Sequence, residues 1–200
     1  AARYEDAIHS ATFYPEPGYT EQVSQVLDEG AKIFKVHVQV GAFSPLDPQL
    51  DEAWKLIEDA GAPVVIHCGS GPHGGEFTGP EPIFELVDRH PNLVLVIAHM
   101  GMPEYIEFAE LARRAPNVYL DTTMVGTGYI HQEFGDLPEG YLDTVAALAD
   151  KVVLGTDFPT IPYSYSHQIE VLHNWGLGEE WMQNVLWHNP QRLLANVQTR

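Results

Sequence analysis

An α/β fold built on a parallel sheet follows from three observations. Six short apolar runs alternate along the chain with segments of helical periodicity. The runs are near-continuous rather than alternating, as in strands covered on both faces by helices. Three of them end in a residue that can bind metal or carry a proton: PVVIHCG (Pro63–Gly69) delivers His67, LVLVIAHMG (Leu93–Gly101) delivers His99, and VVLGTDFP (Val152–Pro159) delivers Asp157. An open doubly wound sheet and part of a (β/α)8 barrel of the TIM-barrel type both fit the alternation. The barrel is preferred, because the C-terminal ends of several barrel strands are where catalytic residues gather. Gly69–Gly75 (GSGPHGG) contains G-x-G but lacks the spacing of a dinucleotide fingerprint.

The elements follow in order. Ala7–Phe13 reads as a weak strand, and Thr20 as the cap of a helix that carries Val23, Val26 and Leu27 and stops at Gly30. Lys32–Val40 is a strand with two characters: Ile33, Val36, Val38 and Val40 are apolar, while Lys35, His37 and Gln39 share a face at period two. Asp47-Pro48 opens a helix through Leu50, Ala53, Trp54, Ile57 and Ala60 that ends at Gly61. Pro63–His67 is the next strand, Ile83–Arg89 a helix, Leu93–His99 a strand and Pro103–Ala115 a helix. Val118–Asp121 is a short strand, and Thr122–Gly140 a long functional or mobile loop. Tyr141–Ala149 is a helix and Val152–Gly155 the last strand. Ser166–Trp175, Glu179–Leu186 and Pro190–Ala195 are short helices, with Trp54, Trp175, Trp181 and Trp187 as packing residues.

Composition narrows the function. The 200 residues carry 28 acidic and 10 basic side chains, a net charge of −18, which argues against nucleic acid or an anionic membrane as partner. No apolar run reaches the roughly 20 residues that span a bilayer. The single Cys68 offers no disulfide framework, follows His67 on a strand and reads as a buried apolar residue; a cytoplasmic location is expected. With ten histidines against one cysteine, a metal site would be built from imidazole and carboxylate.

The succession KVHVQVGAFSPLDPQLDEAW, PVVIHCGSGP, LVLVIAHMG, VYLDTT, VVLGTDFP and NVLWHNPQRLLA resembles the amidohydrolase superfamily. More narrowly, it is similar to the amidohydrolase-related branch of metal-dependent hydrolases and nonoxidative decarboxylases. Order and spacing hold from about Ala7 to Ala195. The resemblance implies a distorted (β/α)8 barrel in which these strands are the third to the eighth, so that residues 1–200 form one domain lacking the first two β/α units. It implies a divalent metal, zinc first and manganese second, with His67 and Asp157 as ligands. His99 and Asp157 become the catalytic residues, His99 serving as a second ligand in binuclear members or as a substrate-orienting group in mononuclear ones. A metal lowers the pKa of water from about 15.7 to about 7, and a carboxylate beside it accepts the proton.

One departure stands out. The family's first strand carries an H-x-H pair of metal ligands, and no H-x-H occurs in this sequence. A barrel of this kind needs about 250 residues, which matches the shortfall. Lysine on the fourth strand is carbamylated in binuclear members. In the branch resembled here it belongs to a K-x-H element, so Lys35 and His37 are expected to line the substrate pocket. Asp121 ends a strand, where a structural hydrogen bond is expected ahead of a role in supporting the site residues, and His73 lies in a loop near the mouth. The expected function is a metal-dependent hydrolase of a small molecule. The alternatives are a nonoxidative decarboxylase of a small aromatic or unsaturated carboxylic acid, or a non-catalytic truncated barrel whose open strand edges serve assembly, including a homo-oligomer.

Overall fold

The structure, a computed structural model, describes Tyr4, residues 7–195 and Val197. Its centre is a six-stranded, all-parallel sheet: β1 (Ser10–Ala11), β2 (Ile33–His37), β3 (Val64–His67), β4 (Leu95–Ile97), β5 (Val118–Asp121) and β6 (Val152–Val153). The strands lie side by side in sequence order. A doubly wound sheet reverses its order at a switch point, whereas a barrel adds each strand beside the last. The order is therefore that of barrel winding, and the barrel is not closed by the six strands.

Helices α1 (Tyr19–Asp28), α3 (Asp51–Ala60), α4 (Pro80–Arg89), α5 (Tyr105–Arg114) and α7 (Tyr141–Ala147) turn their buried residues to one core. The sheet face they cover is fully buried: Phe34, Val36, Val64, Ile66, Leu95, Ile97, Val118, Leu120 and Val152 all belong to that core. Side chains alternate across a strand. The opposite, inner face therefore carries Ile33, Lys35 and His37, then Val65 and His67, Val96, Tyr119 and Asp121, and Val153. Its apolar part is a separate small cluster of Val96, Val153 and Leu193.

Several ends follow local chemistry. Asp47 Oδ1 accepts from the Gln49 N–H at 2.9 Å, and Pro48 occupies the first position of a 3-10 turn, Pro48–Leu50, that runs into α3. Gly61 ends α3 in the left-handed region at φ 64°. Helix α4 begins at Pro80, earlier than the expected Ile83. Pro80 and Pro82 stand in the first turn, where a missing N–H leaves no bond unmade.

Other boundaries correct the sequence expectations. The first strand shrinks to two residues, and the first helix is capped by Gly18 rather than Thr20. Strand β2 stops at His37 instead of Val40, because the His37 ring caps a one-turn helix α2 (Val38–Gly41) by accepting from the Val40 N–H at 3.3 Å. Gln39 thereby leaves the face of Lys35 and His37. Strand β4 ends before His99, which sits in a tight 3-10 turn, Ala98–Gly101. The loop expected over residues 122–140 contains helix α6 (Gly128–Phe134), capped by Thr127 Oγ1; with only Ile130 buried, it has no apolar periodicity to announce it. Strand β6 ends at Val153, two residues early.

The last helices are α8 (Tyr165–Asn174), α9 (Glu179–Gln183) and α10 (Asn189–Ala195), with a π-helical turn, Asn184–His188, joining α9 to α10. Pro190 has no N–H for the helical ladder, so the turn before it loosens. The altered register leaves Trp187 62% exposed, against the packing role expected of it. The same segment covers the outer edge of β6. Lys151 and Val153 carbonyls point to β5, accepting from Leu120 and Thr122, so Val152 and Leu154 point away. The Val152 carbonyl accepts from Asn189 Nδ2 at 2.6 Å, and the Leu154 N–H donates to the Val185 carbonyl at 3.2 Å. That edge, expected to be open, is capped from within the chain. Among the described residues, no helix is long and apolar enough to cross a membrane.

Candidate active site

The strand-end residues predicted from sequence converge at the C-terminal rim of the inner face. His37 and His67 are direct register partners on β2 and β3, and their rings stack 3.9 Å apart at an interplanar angle of 8°. His99 meets His67 edge to face, with His99 Nε2 3.1 Å from His67 Nδ1. Asp157 follows the end of β6, with Oδ2 3.8 Å from His99 Nε2. Lys35, one pleat below His37, borders the same cavity of about 380 Å³. The wall opposite comes from α6 through Tyr129, Glu133 and Phe134, and His73 joins it from the loop after β3.

Backbone hydrogen bonds fix the tautomer of each ring. A carbonyl can only accept, so His67 Nε2–H donates to the Gly71 carbonyl at 2.9 Å and His99 Nδ1–H donates to the Thr123 carbonyl at 3.1 Å. What remains in the neutral rings is one lone pair on each, His67 Nδ1 and His99 Nε2, facing each other. His37 Nδ1 accepts from Val40, which leaves its Nε2 to carry the proton. Burial, with His99 and His37 nearby, holds the His67 pKa down to about 3; burial, Lys35 and His99 lower that of His37. Both are neutral at neutral pH.

The local backbone is arranged around this contact. His99 and Met100 occupy the left-handed region at φ 56° and 52°. Asp121 Oδ1 accepts from the His99 N–H at 3.0 Å and from the Thr123 N–H at 2.9 Å. Gly155 passes so close that an added Cβ would stand 2.2 Å from Thr123 Oγ1 and 2.7 Å from the Asp121 carboxylate, which only glycine allows. Cys68 is fully buried on the other side of β3, and burial raises its thiol pKa, so it is no nucleophile.

A metal fits the pair better than it fits the full predicted set. Two nitrogens bound to one tetrahedral ion at about 2.0–2.1 Å lie roughly 3.3 Å apart, close to the His67–His99 separation. Each ring also donates its other N–H to a carbonyl, the partner arrangement that fixes metal-binding imidazoles. Asp157, expected as a ligand with His67 and as a catalytic residue with His99, lies against His99. Among the described residues, no three His, Cys, Asp or Glu side chains close into a metal-holding group. Sequence reasoning picked out the five side chains but not the carbonyls of Gly71 and Thr123, since any residue supplies a carbonyl.

Comparison with known proteins bears on the fold and the family. An uncharacterized TIM-barrel protein from Bordetella bronchiseptica is 26% identical and superposes with a TM-score of 0.83, over 98% of this chain and 70% of that one. A 4-oxalomesaconate hydratase from Rhodopseudomonas palustris shares the fold at 15% identity and a TM-score of 0.58, over 90% of this chain and 62% of that one. An IDCase from Metarhizium anisopliae does so at 16% and 0.55, over 91% and 61%. No curated protein matches the chain. The sequence profile of the amidohydrolase family matches residues 1–195, and the chain belongs to that family.

Proposed function

We propose that this chain carries the active centre of a metal-dependent hydrolase acting on a small molecule. The observation that supports it is the meeting of two imidazole lone pairs, His67 Nδ1 and His99 Nε2, 3.1 Å apart with tautomers held by the Gly71 and Thr123 carbonyls. Two facing lone pairs repel unless a cation lies between them. His67 and His99 would hold a divalent ion, zinc by donor chemistry, with Asp157 the nearest carboxylate. Such an ion supplies Lewis acidity, polarising a carbonyl and bringing the pKa of water from about 15.7 towards 7.

The chain's own residues supply the rest. Asp157 would accept a proton from water as the water oxygen adds to the carbonyl carbon, and would return it to the nitrogen or oxygen that leaves when the C–N or C–O bond breaks. His37 offers Nε2–H as a neutral donor to the oxygen that gains charge, since its Nδ1 is engaged by Val40. Lys35 places a cation on the cavity wall for an electronegative group of the substrate.

The test is zinc titration of the metal-stripped chain by calorimetry. One saturable site is expected, with affinity falling more than about 100-fold in His67→Ala and in His99→Ala. Binding that both substitutions leave unchanged overturns the assignment. Activity is then assayed on small amides, esters and lactones and on aromatic carboxylic acids; carbon dioxide release without hydrolysis sinks the hydrolase reading.

A further inference from the structure

Asp121 is buried, and it takes part in no ion pair among the described residues. A carboxylate out of water needs compensation, and here it comes from two backbone N–H groups converging on Oδ1. Those two groups belong to the residues that define the His99 ring. One is the His99 N–H, whose residue is held in the left-handed region that side chains other than glycine rarely adopt. The other is the N–H of Thr123, the residue whose carbonyl accepts from His99 Nδ1–H. A single carboxylate oxygen thus ties the backbone that carries the ring to the peptide that fixes its tautomer. The backbone at Gly155 lies against the same carboxylate, where a Cβ would collide with it.

We propose that Asp121 is the positioning residue of the site: it sets the backbone of His99 and the Thr123 carbonyl together, so that the His99 ring carries its proton on Nδ1 and turns the Nε2 lone pair to His67. Asp121 touches neither imidazole ring nitrogen. Its action on the pair runs through two backbone bonds. The role in metal binding rests on the reading of His67 and His99 as a ligand pair; the role in fixing the tautomer does not.

Nitrogen-15 NMR of the histidine rings at about pH 8, on the metal-free chain, reads the tautomer directly. In the wild type His99 is expected as the Nδ1–H form, with scalar couplings across the hydrogen bonds from the His99 and Thr123 amides to the Asp121 carboxylate. Asp121→Ala is expected to mix the two tautomers and to weaken zinc binding by about 10- to 100-fold. Asp121→Asn keeps one oxygen for both N–H donors and is expected to hold the tautomer, with zinc affinity within about threefold of wild type. Three results overturn the proposal: an Nε2–H tautomer or absent couplings in the wild type, an Asp121→Ala chain that keeps the pure Nδ1–H form, or an Asp121→Asn chain that loses it. The first needs no variant and stands even if Asp121→Ala fails to fold. If zinc binding ignores His67→Ala and His99→Ala, the metal reading fails, while the tautomer measurement still decides for or against Asp121.

Discussion

The two faces of the sheet are made by alternate residues of the same strands, yet they do different work. On the helix-covered face every central strand residue, from Phe34 to Val152, lies in the main core and is polar nowhere. On the inner face Lys35, His37, His67 and Asp121 are interleaved with Val65, Val96 and Val153, and only the small cluster around Leu193 is apolar. The covered face has what stability needs, close apolar packing. The inner face holds the titratable groups where their charges and lone pairs meet. The period of two lets one strand serve both purposes, and a shift of one residue would exchange them.

Acid attacks the inner face. His67 titrates near 3 in the fold against 6.5 for a free imidazole, and His37 is lowered as well. Between those values the unfolded chain binds a proton that the folded chain does not, so stability falls as pH drops from 6.5 towards 3 and is retained above 6.5. For His67 alone the whole window corresponds to something on the order of 5 kcal/mol. The urea midpoint of the metal-free chain is expected to fall through this range, and His67→Gln to flatten the decline. Parallel profiles for the two chains would remove His67 as its source.

The covered side is tested by Trp54→Ala. Trp54 is fully buried, lies 5.0 Å from the Phe13 ring edge to face, and donates Nε1–H to the Pro45 carbonyl at 2.9 Å. Removing it is expected to cost about 3–5 kcal/mol. The stacked histidine rings should persist in the molecules that remain folded, seen as unchanged imidazole shifts. A cost below about 1 kcal/mol would mean that this side of the molecule is not its main source of stability.

Much of this division could be read from the chain, and what could not has physical causes. The strand over Val118–Asp121 and the stop at Gly61 follow from local pattern and turn chemistry, and the structure reproduces both. His67, His99 and Asp157 were conspicuous because a polar group closes an otherwise apolar run. The turn at His99 was not legible, since the partner to which its backbone N–H donates is Asp121, 22 residues away. The end of β2 was hidden because the His37 side chain caps the turn that follows, which no period-two pattern reports. Helix α6 buries too little to show a periodic face, and Trp187 is exposed by a π turn that shifts helical register. The resemblance pairs Asp157 with His67 as a ligand and with His99 as a catalytic residue, and its distance from either is a matter of loop geometry after β6 that no strand pattern reports.

The comparison of faces is sharpest at two adjacent residues of one type. Val64 and Val65 are neighbours on β3 with opposite orientations. Val64 is fully buried in the main core, while Val65 is half-buried beside the small inner cluster and borders a cavity of about 290 Å³ with Lys35 and Leu193. Truncating either to alanine removes the same two methyl groups and leaves the strand's hydrogen bonds intact. Val64→Ala loses packed neighbours on all sides and is expected to cost about 2 kcal/mol. Val65→Ala opens onto space already present and is expected to cost less than about half as much. Urea unfolding of the two variants under one set of conditions measures the difference. Equal costs would show that the inner face is packed as tightly as the outer one, and that the separation of stability from chemistry across this sheet does not hold.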